Sequence, residues 1–170
     1  MRIDVSELLR TSRGTLSFSF SELLTGCGNE IDGYIFDTPV EFIGNLENIN
    51  GVLRVVGSLK AEYKNTCSRC LENLKGGLSL DIHESIVEDG SDDDPDVYTY
   101  KDGIADIGRI AQDNIILNMP MRLICSEDCK GLCPLCGVNL NVSQCDCGKD
   151  HFDSRFSKLE GYFKDKKPND

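Results

Sequence analysis

No stretch of this 170-residue chain approaches the ~20 consecutive apolar residues that a membrane-spanning helix needs, so no transmembrane segment is expected. The amino terminus, Met1-Arg2-Ile3-Asp4-Val5-Ser6-Glu7, lacks the basic and apolar stretches of a secretory signal, which points to a cytoplasmic protein. Positive charge is scarce: 18 Lys plus Arg stand against 29 Asp plus Glu, a formal charge of −11. Binding to a phosphate backbone depends on clustered Lys and Arg that release counterions, so a generic DNA coat is not expected. Histidine is rarer still. His83 and His151 are the only two, and neither sits in an H-E-x-x-H motif or with the H-x-E spacing of a zinc deaminase. A P-loop, a Gly-rich dinucleotide fingerprint, a nucleophile elbow and a fixed-period repeat are missing as well. Without a catalytic constellation, the chain reads as a non-enzyme.

What is present, against the expectation of a reducing compartment, is cysteine: nine of them. An odd count cannot close into intramolecular disulfides alone, and secreted disulfide scaffolds are shorter and carry a signal. Metal ligation is the better reading. A composition 39% hydrophobic can build a core of ordinary size.

Between about residues 15 and 86 the chain alternates with the period of two expected of half-buried strands. Leu53, Val55, Leu59, Ala61 and Tyr63 alternate with Arg54, Ser58, Lys60, Glu62 and Lys64; Leu74, Leu78, Leu80, Ile82 and Ile86 alternate with Asn73, Lys75, Ser79, Asp81 and His83. His83 thereby falls on the polar face. Asn50-Gly51, after Val40-Glu41-Phe42-Ile43 and a polar stretch, suits the positive φ angles of a type I′ hairpin. Residues 15–20 and 31–36 read as further strands. From Glu84 to Asp96 seven acidic residues run without a basic one, which predicts a solvated loop; the spacing of a calcium loop is absent. Ile104, Ile107, Ile110, Ala111, Ile115 and Leu117 then follow helical spacing, with Asp106 as candidate N-cap and Pro120 disfavouring helix at Met119. A short helix is predicted over about 153–163, where Phe156, Leu159 and Phe163 share a face. The expected fold is α+β: an antiparallel β-meander or partly closed barrel with one packed core helix and a zinc-ribbon-like C-terminal tail. The corresponding divisions are 1–124 (β-rich, with the core helix at about 104–119), 125–150 (cysteine-rich and zinc-binding) and 151–170 (short helix and polar tail).

Cys67-Ser-Arg-Cys70 lies between two alternating strands, where a tight turn can present two thiolates to a metal. A redox pair of this spacing would instead open a helix. The second cluster is denser: Cys125-Ser-Glu-Asp-Cys129-Lys-Gly-Leu-Cys133-Pro-Leu-Cys136-Gly, then Cys145-Asp-Cys147-Gly. Gly131 and Pro134 oppose a continuous helix there. Cys133-Pro-Leu-Cys136-Gly137 has the form of a rubredoxin or zinc-ribbon knuckle, in which the glycine permits a positive φ. Tetrahedral zinc takes four soft ligands, and Cys133, Cys136, Cys145 and Cys147 offer them from two short turns. Cys67, Cys70, Cys125 and Cys129 then form a second set of four, with Cys27 left as a free thiol and His151 an alternative to one thiolate. Two zinc ions are expected, iron being able to replace zinc on overexpression. Four-thiolate sites have no open position for water and favour structure over catalysis. Each carries a net −2, so two would take the formal charge from −11 to −15.

The strand-borne C-x2-C, the segment Asp113-Asn-Ile-Ile-Leu-Asn-Met-Pro120 and the tail from Cys125 through Cys136-Gly-Val-Asn139-Leu-Asn141 together resemble the YceD family. The resemblance covers roughly residues 30–160. It implies a bacterial or plastid protein linked to accumulation of large-subunit ribosomal RNA, whose gene neighbours that of a large-subunit ribosomal protein. It further implies that Cys67, Cys70, Cys125 and Cys129 belong together and that Cys133 through Cys147 form an added site; no catalytic residues come with it. Two functions follow. One is a non-enzymatic ribosome-biogenesis factor that contacts a large-subunit rRNA precursor or a basic ribosomal protein, with no membrane or DNA partner. The other is a thiol-based redox or metal-trafficking protein. The acidic surface favours a basic protein over bare RNA.

Overall fold

The computed structural model describes residues 1–23, 30–31, 33–90 and 97–147. Cys27, His151 and the expected helix at 153–163 lie outside the described residues, as do residues 91–96 of the acidic stretch. Two compact units divide the chain. One comprises residues 1–66 and 73–123; the other takes in Cys67–Glu72 and the chain from Ile124 onward.

The first unit is mostly sheet, curled strongly into a half-barrel, with one core helix. Its strands are β1 (Arg2–Asp4), β2 (Arg13–Glu22), β3 (Glu30–Ile31), β4 (Tyr34–Ile35), β5 (Val40–Ile49), β6 (Val52–Thr66), β7 (Asn73–Glu88), β8 (Tyr98–Lys101) and β9 (Ile104–Asp106). Its helices are α1 (Ser6–Leu9) and α2 (Ile107–Asn118). The strands run in the order β1-β9-β8-β7-β6-β4-β3, and β5 pairs with both β2 and β6. The two long strands β6 and β7 stay in register from Leu53 opposite Ile86 to Thr66 opposite Asn73. Their alternation is the cause: Leu53, Val55, Leu59, Ala61 and Tyr63 are buried, whereas Arg54, Ser58, Lys60 and Glu62 are exposed. β5 and β6 meet through a two-residue loop in which Asn50 and Gly51 take φ of 55° and 95°, the type I′ geometry expected of Asn-Gly. His83 is exposed, as its place on the polar face requires.

Midway along the β5–β6 pair, Gly44 faces Gly57. A Cβ on Gly44 would stand 2.5 Å from the Val56 carbonyl, and one on Gly57 2.5 Å from that of Ile43, so only glycine permits the close approach. Phe18, opposite Gly44, meets Phe42 edge to face with centroids 5.0 Å apart. The core is completed by Ile107, Ile110, Ala111 and Ile115 of α2, all fully buried; a buried isoleucine contributes about 1.5–3 kcal/mol. Asp106 caps this helix, its carboxylate accepting from the Gly108 and Arg109 amides at 3.0 and 3.4 Å. Met119 leaves helical geometry before Pro120, with ψ of 134°.

Three expectations are corrected in detail. The helix begins at Ile107, because Ile104–Asp106 extend as β9 and pair with β1 and β8. The acidic stretch does not begin as a loop: Glu84 and Glu88 belong to β7, and Glu84 accepts from the Asn114 side chain at 3.2 Å. The sheet is not a pure antiparallel meander, since β8 runs parallel to β7. No helix among the described residues is long and apolar enough to cross a membrane.

Candidate metal centres

Eight of the nine cysteines fall in the second unit, in two groups. The sulfurs of Cys67, Cys70, Cys125 and Cys129 lie within 4.8 Å of one another, and so do those of Cys133, Cys136, Cys145 and Cys147. The grouping coincides with the expected one, in which the second set follows from spacing and the first is the remainder, and each group could hold a metal ion.

The backbone explains how a short segment brings two sulfurs together. In Cys67–Glu72 the Cys67 amide donates to the Glu72 carbonyl at 2.8 Å, and the Leu71 amide donates back to the Cys67 carbonyl at 2.9 Å. In the second group the pattern repeats: the Cys133 amide donates to Val138 O and the Gly137 amide to Cys133 O, both at 2.9 Å. The residue after the second cysteine takes a left-handed φ in each turn, 73° at Gly137 and 60° at Leu71. The first turn is thus a knuckle of the same form as the second, built with leucine where glycine is the unstrained choice.

Arg69, inside the first knuckle, ties it to the later chain. Its guanidinium Nη1 donates to the Glu127 and Cys129 carbonyls, each at 3.0 Å, and its own carbonyl accepts from the Leu132 amide at 3.1 Å. Gly131, with φ of 74°, permits that approach, since a Cβ there would stand 3.0 Å from the Arg69 carbonyl. Asn141 is a second residue whose role spacing could not supply. Its side-chain amide donates to Cys129 Sγ at 3.3 Å.

In the first group Cys67 and Cys129 sulfurs are 3.9 Å apart and Cys70 and Cys125 sulfurs 3.6 Å. A disulfide would need about 2.05 Å. Four thiolates at about 2.3 Å from a tetrahedral ion stand about 3.8 Å from each other, so the donor set and its spacing fit zinc. Cys67, Cys70 and Cys129 are buried and Cys125 is exposed; in the second group Cys133 is buried, Cys145 half-buried, and Cys136 and Cys147 exposed.

Backbone amides and neighbouring sulfurs move the thiols in opposite directions. Burial opposes the Cys67 thiolate, but the amides of Cys70, Arg69 and Cys125 outweigh it and bring that thiol down to about 6. Hydrogen bonds from the Cys136 and Leu135 amides likewise bring Cys133 down to about 6. Asn141 is the largest influence lowering Cys129. Their neighbours move the other way: Cys125 is pushed up to about 12 by its contact with Cys129 and by burial, and Cys145 to about 11 by its contact with Cys133. Contact with the Cys136 sulfur raises Cys147. Each cluster therefore sets thiols whose ionisation the backbone favours beside thiols whose ionisation the neighbouring sulfurs oppose, a repulsion that a divalent cation among the four sulfurs would offset.

Comparison with known proteins identifies the family of the chain. A mycobacterial protein of uncharacterized function, from Mycobacterium tuberculosis, is 28% identical over 119 residues, which cover 67% of this chain and 57% of the relative. The maize (Zea mays) protein "Large ribosomal RNA subunit accumulation protein YCED homolog 1, chloroplastic" is 28% identical over 160 residues, 75% of this chain and 54% of its own. The uncharacterized protein YlbN of Bacillus subtilis is 30% identical over 110 residues, 63% of this chain and 64% of its own. The chain thus spans little more than half the length of the first two. No solved structure matches it significantly. The model of the family "Large ribosomal RNA subunit accumulation protein YceD" matches residues 55–162, a span that runs from β6 through both cysteine clusters, and the chain belongs to that family.

Proposed function

We propose that this protein is a non-enzymatic, zinc-stabilised factor that supports the synthesis, processing or accumulation of large-subunit ribosomal RNA in the cytoplasm. The observation that carries the role is the family match over residues 55–162, whose name ties it to that RNA. In this reading Cys67, Cys70, Cys125 and Cys129 bind one zinc ion, and Cys133, Cys136, Cys145 and Cys147 a second. Zinc bound this way supplies folding energy and a fixed surface rather than an open coordination position. The cysteine-rich segment of about 125–150 acts as a zinc module, and iron can replace zinc on overexpression without implying electron transfer. The partner is a large-subunit rRNA precursor or a basic large-subunit ribosomal protein.

Two measurements test this. Metal analysis of reduced protein purified without nickel should give two zinc ions per chain; one ion would leave a single site. Gradient profiles of a depletion strain should show loss of mature large-subunit rRNA and free large subunits with little change in the small subunit. Normal subunit ratios would sink the biogenesis role and favour thiol chemistry or metal trafficking instead.

A further inference from the structure

The loop between the two cysteine pairs of the second cluster does more than connect them. Asn141 on this loop reaches the first cluster, and both ends of its amide are engaged. Oδ1 accepts from the Lys130 backbone amide at 2.8 Å. Nδ2 donates to Cys129 Sγ at 3.3 Å and to Asn139 Oδ1 at 2.9 Å. The orientation of the group is not ambiguous, since a backbone N–H can only donate and so fixes which end carries oxygen; the NH2 end must then face the sulfur. Asn141 thus grips two successive residues, the Cys129 sulfur and the Lys130 amide.

The loop itself is held in place by the second cluster's own framework. The Leu140 amide donates to Gly131 O at 2.9 Å, the Cys133 amide to Val138 O at 2.9 Å, and the Val142 and Ser143 amides to Asn139 O at 3.1 and 3.0 Å. Leu132 and Asn139 form a β-bridge. The chain on one side of the loop ends in Cys133 and Cys136 and on the other in Cys145 and Cys147. Joining these four sulfurs fixes both ends of the segment that carries Asn141.

We propose that Asn141 is a positioning residue for the first metal site, and that through it the two sites load cooperatively, occupation of the Cys133/Cys136/Cys145/Cys147 site strengthening that of Cys67/Cys70/Cys125/Cys129. This inference rests on the two-site reading above. The physical basis is a hydrogen bond to a ligand sulfur from a donor ordered by the neighbouring site. Such outer partners typically change metal affinity 10–100-fold. Coupling between two sites is reciprocal, so filling the first must strengthen the second by the same factor.

The test is a titration of the full-length, reduced, metal-free protein with Co2+ under anaerobic conditions, followed by thiolate-to-cobalt charge transfer, with 113Cd NMR to resolve the two sites. Asn141→Ala removes both halves of the grip. Asn141→Asp keeps the acceptor for the Lys130 amide and removes the donor to sulfur, so it holds the loop even if the alanine variant folds poorly. Both should weaken the first site at least about tenfold. Both should also move its charge-transfer band to longer wavelength, because a sulfur without its N–H donor is more electron-rich. Cys145→Ser, which disables the second site, should weaken the first by a similar factor. The decisive reading is the double variant Asn141→Asp/Cys145→Ser, whose loss at the first site should not exceed that of either single change by more than about twofold. An unchanged first site in Asn141→Asp, or losses that multiply in the double variant, would overturn the coupling while leaving two metal sites in place. A wild-type protein that binds neither Co2+ nor Cd2+ would instead remove the two-site reading itself.

Discussion

Leu71 shows how much one residue can reveal about the site. It is a leucine at φ 60°, and its side chain is 62% exposed, so packing compensates little for the backbone. A left-handed conformation costs an ordinary L-residue about 1–2 kcal/mol, whereas glycine's extra chain entropy costs about 0.5–1 kcal/mol. Leu71→Gly should therefore stabilise the metal-loaded protein by up to about 1 kcal/mol, read as a higher midpoint in denaturant; a lower midpoint would show that the side chain makes a contact in solution. The thiols provide a second residue-scale prediction. Contact with neighbouring sulfurs and burial keep Cys125 and Cys145 protonated at neutral pH, and Cys70 and Cys147 are raised as well. Loading both sites at pH 7 must then release at least four protons, one from each of these raised thiols. Lower pH opposes loading, and the opposition steepens as pH falls through about 6, where Cys67 and Cys133 also take up protons. A pH-indicator assay during metal addition counts the protons; release of fewer than four would mean either that the metal takes fewer thiolates or that the neighbouring sulfurs do not hold all four thiols protonated.

At the scale of elements, the glycines of the long strands divide sharply. Gly57 lies hard against the backbone of β5, the Ile43 carbonyl at 2.5 Å and Gly44 Cα at 2.9 Å from where a Cβ would stand, whereas Gly77 in β7 has nothing nearer than the Ala61 carbonyl at 3.9 Å. Gly57→Ala should cost about 1–3 kcal/mol by forcing strands apart, and Gly77→Ala should be neutral or stabilise by a few tenths, since glycine weakens a strand it does not need to bend. Melting of both variants against wild type checks the contrast; equal effects would mean the sheet is not locked at the Gly44–Gly57 pair. The alternation of β6 and β7, the Asn50-Gly51 turn and the Asp106 cap were all legible in the sequence because each rests on neighbours two to four residues apart. The parallel pairing of β8 with β7 was not, because register between distant strands leaves no local signal. Ile104 was misread for a related reason: it lies three residues before Ile107, a spacing that continues the helical stripe although its backbone pairs in the sheet. In the cysteine clusters, spacing pointed to Cys133, Cys136, Cys145 and Cys147 as one set, and Cys67, Cys70, Cys125 and Cys129 followed as the remainder and from the family resemblance. It could not give Arg69 or Asn141, whose hydrogen bonds depend on where the chain returns. Leu71 could have been found by laying Cys67–Leu71 over Cys133–Gly137, which aligns it with the knuckle glycine.

At the scale of the whole molecule, charge limits how the proposed role can be carried out. The formal charge is −11 before any metal is bound, and two divalent ions on eight thiolates would leave −15, so zinc would not create a basic surface. A polyanion repels another polyanion over distances comparable with the Debye length, about 8 Å at physiological salt. A sequence-independent RNA affinity built on counterion release would need a cluster of Lys and Arg that this composition does not favour. The basic side chains described on the sheet are partly neutralised where they stand: Lys64 pairs with Asp37, and Lys101 with Asp89. The expected outcome is weak binding of the metal-loaded protein to generic RNA at physiological salt, and tight binding only to a basic large-subunit ribosomal protein or to a folded site on the large-subunit precursor. In the protein-partner case affinity should fall as salt rises, because opposite charges speed encounter and screening removes that advantage. Titrations against generic RNA, large-subunit precursor RNA and basic large-subunit ribosomal proteins at several salt concentrations would separate these cases. Strong, steeply salt-dependent binding to any RNA would keep a ribosomal role and overturn this account of the contact, because it would require a local concentration of positive charge strong enough to prevail over a net charge of −11.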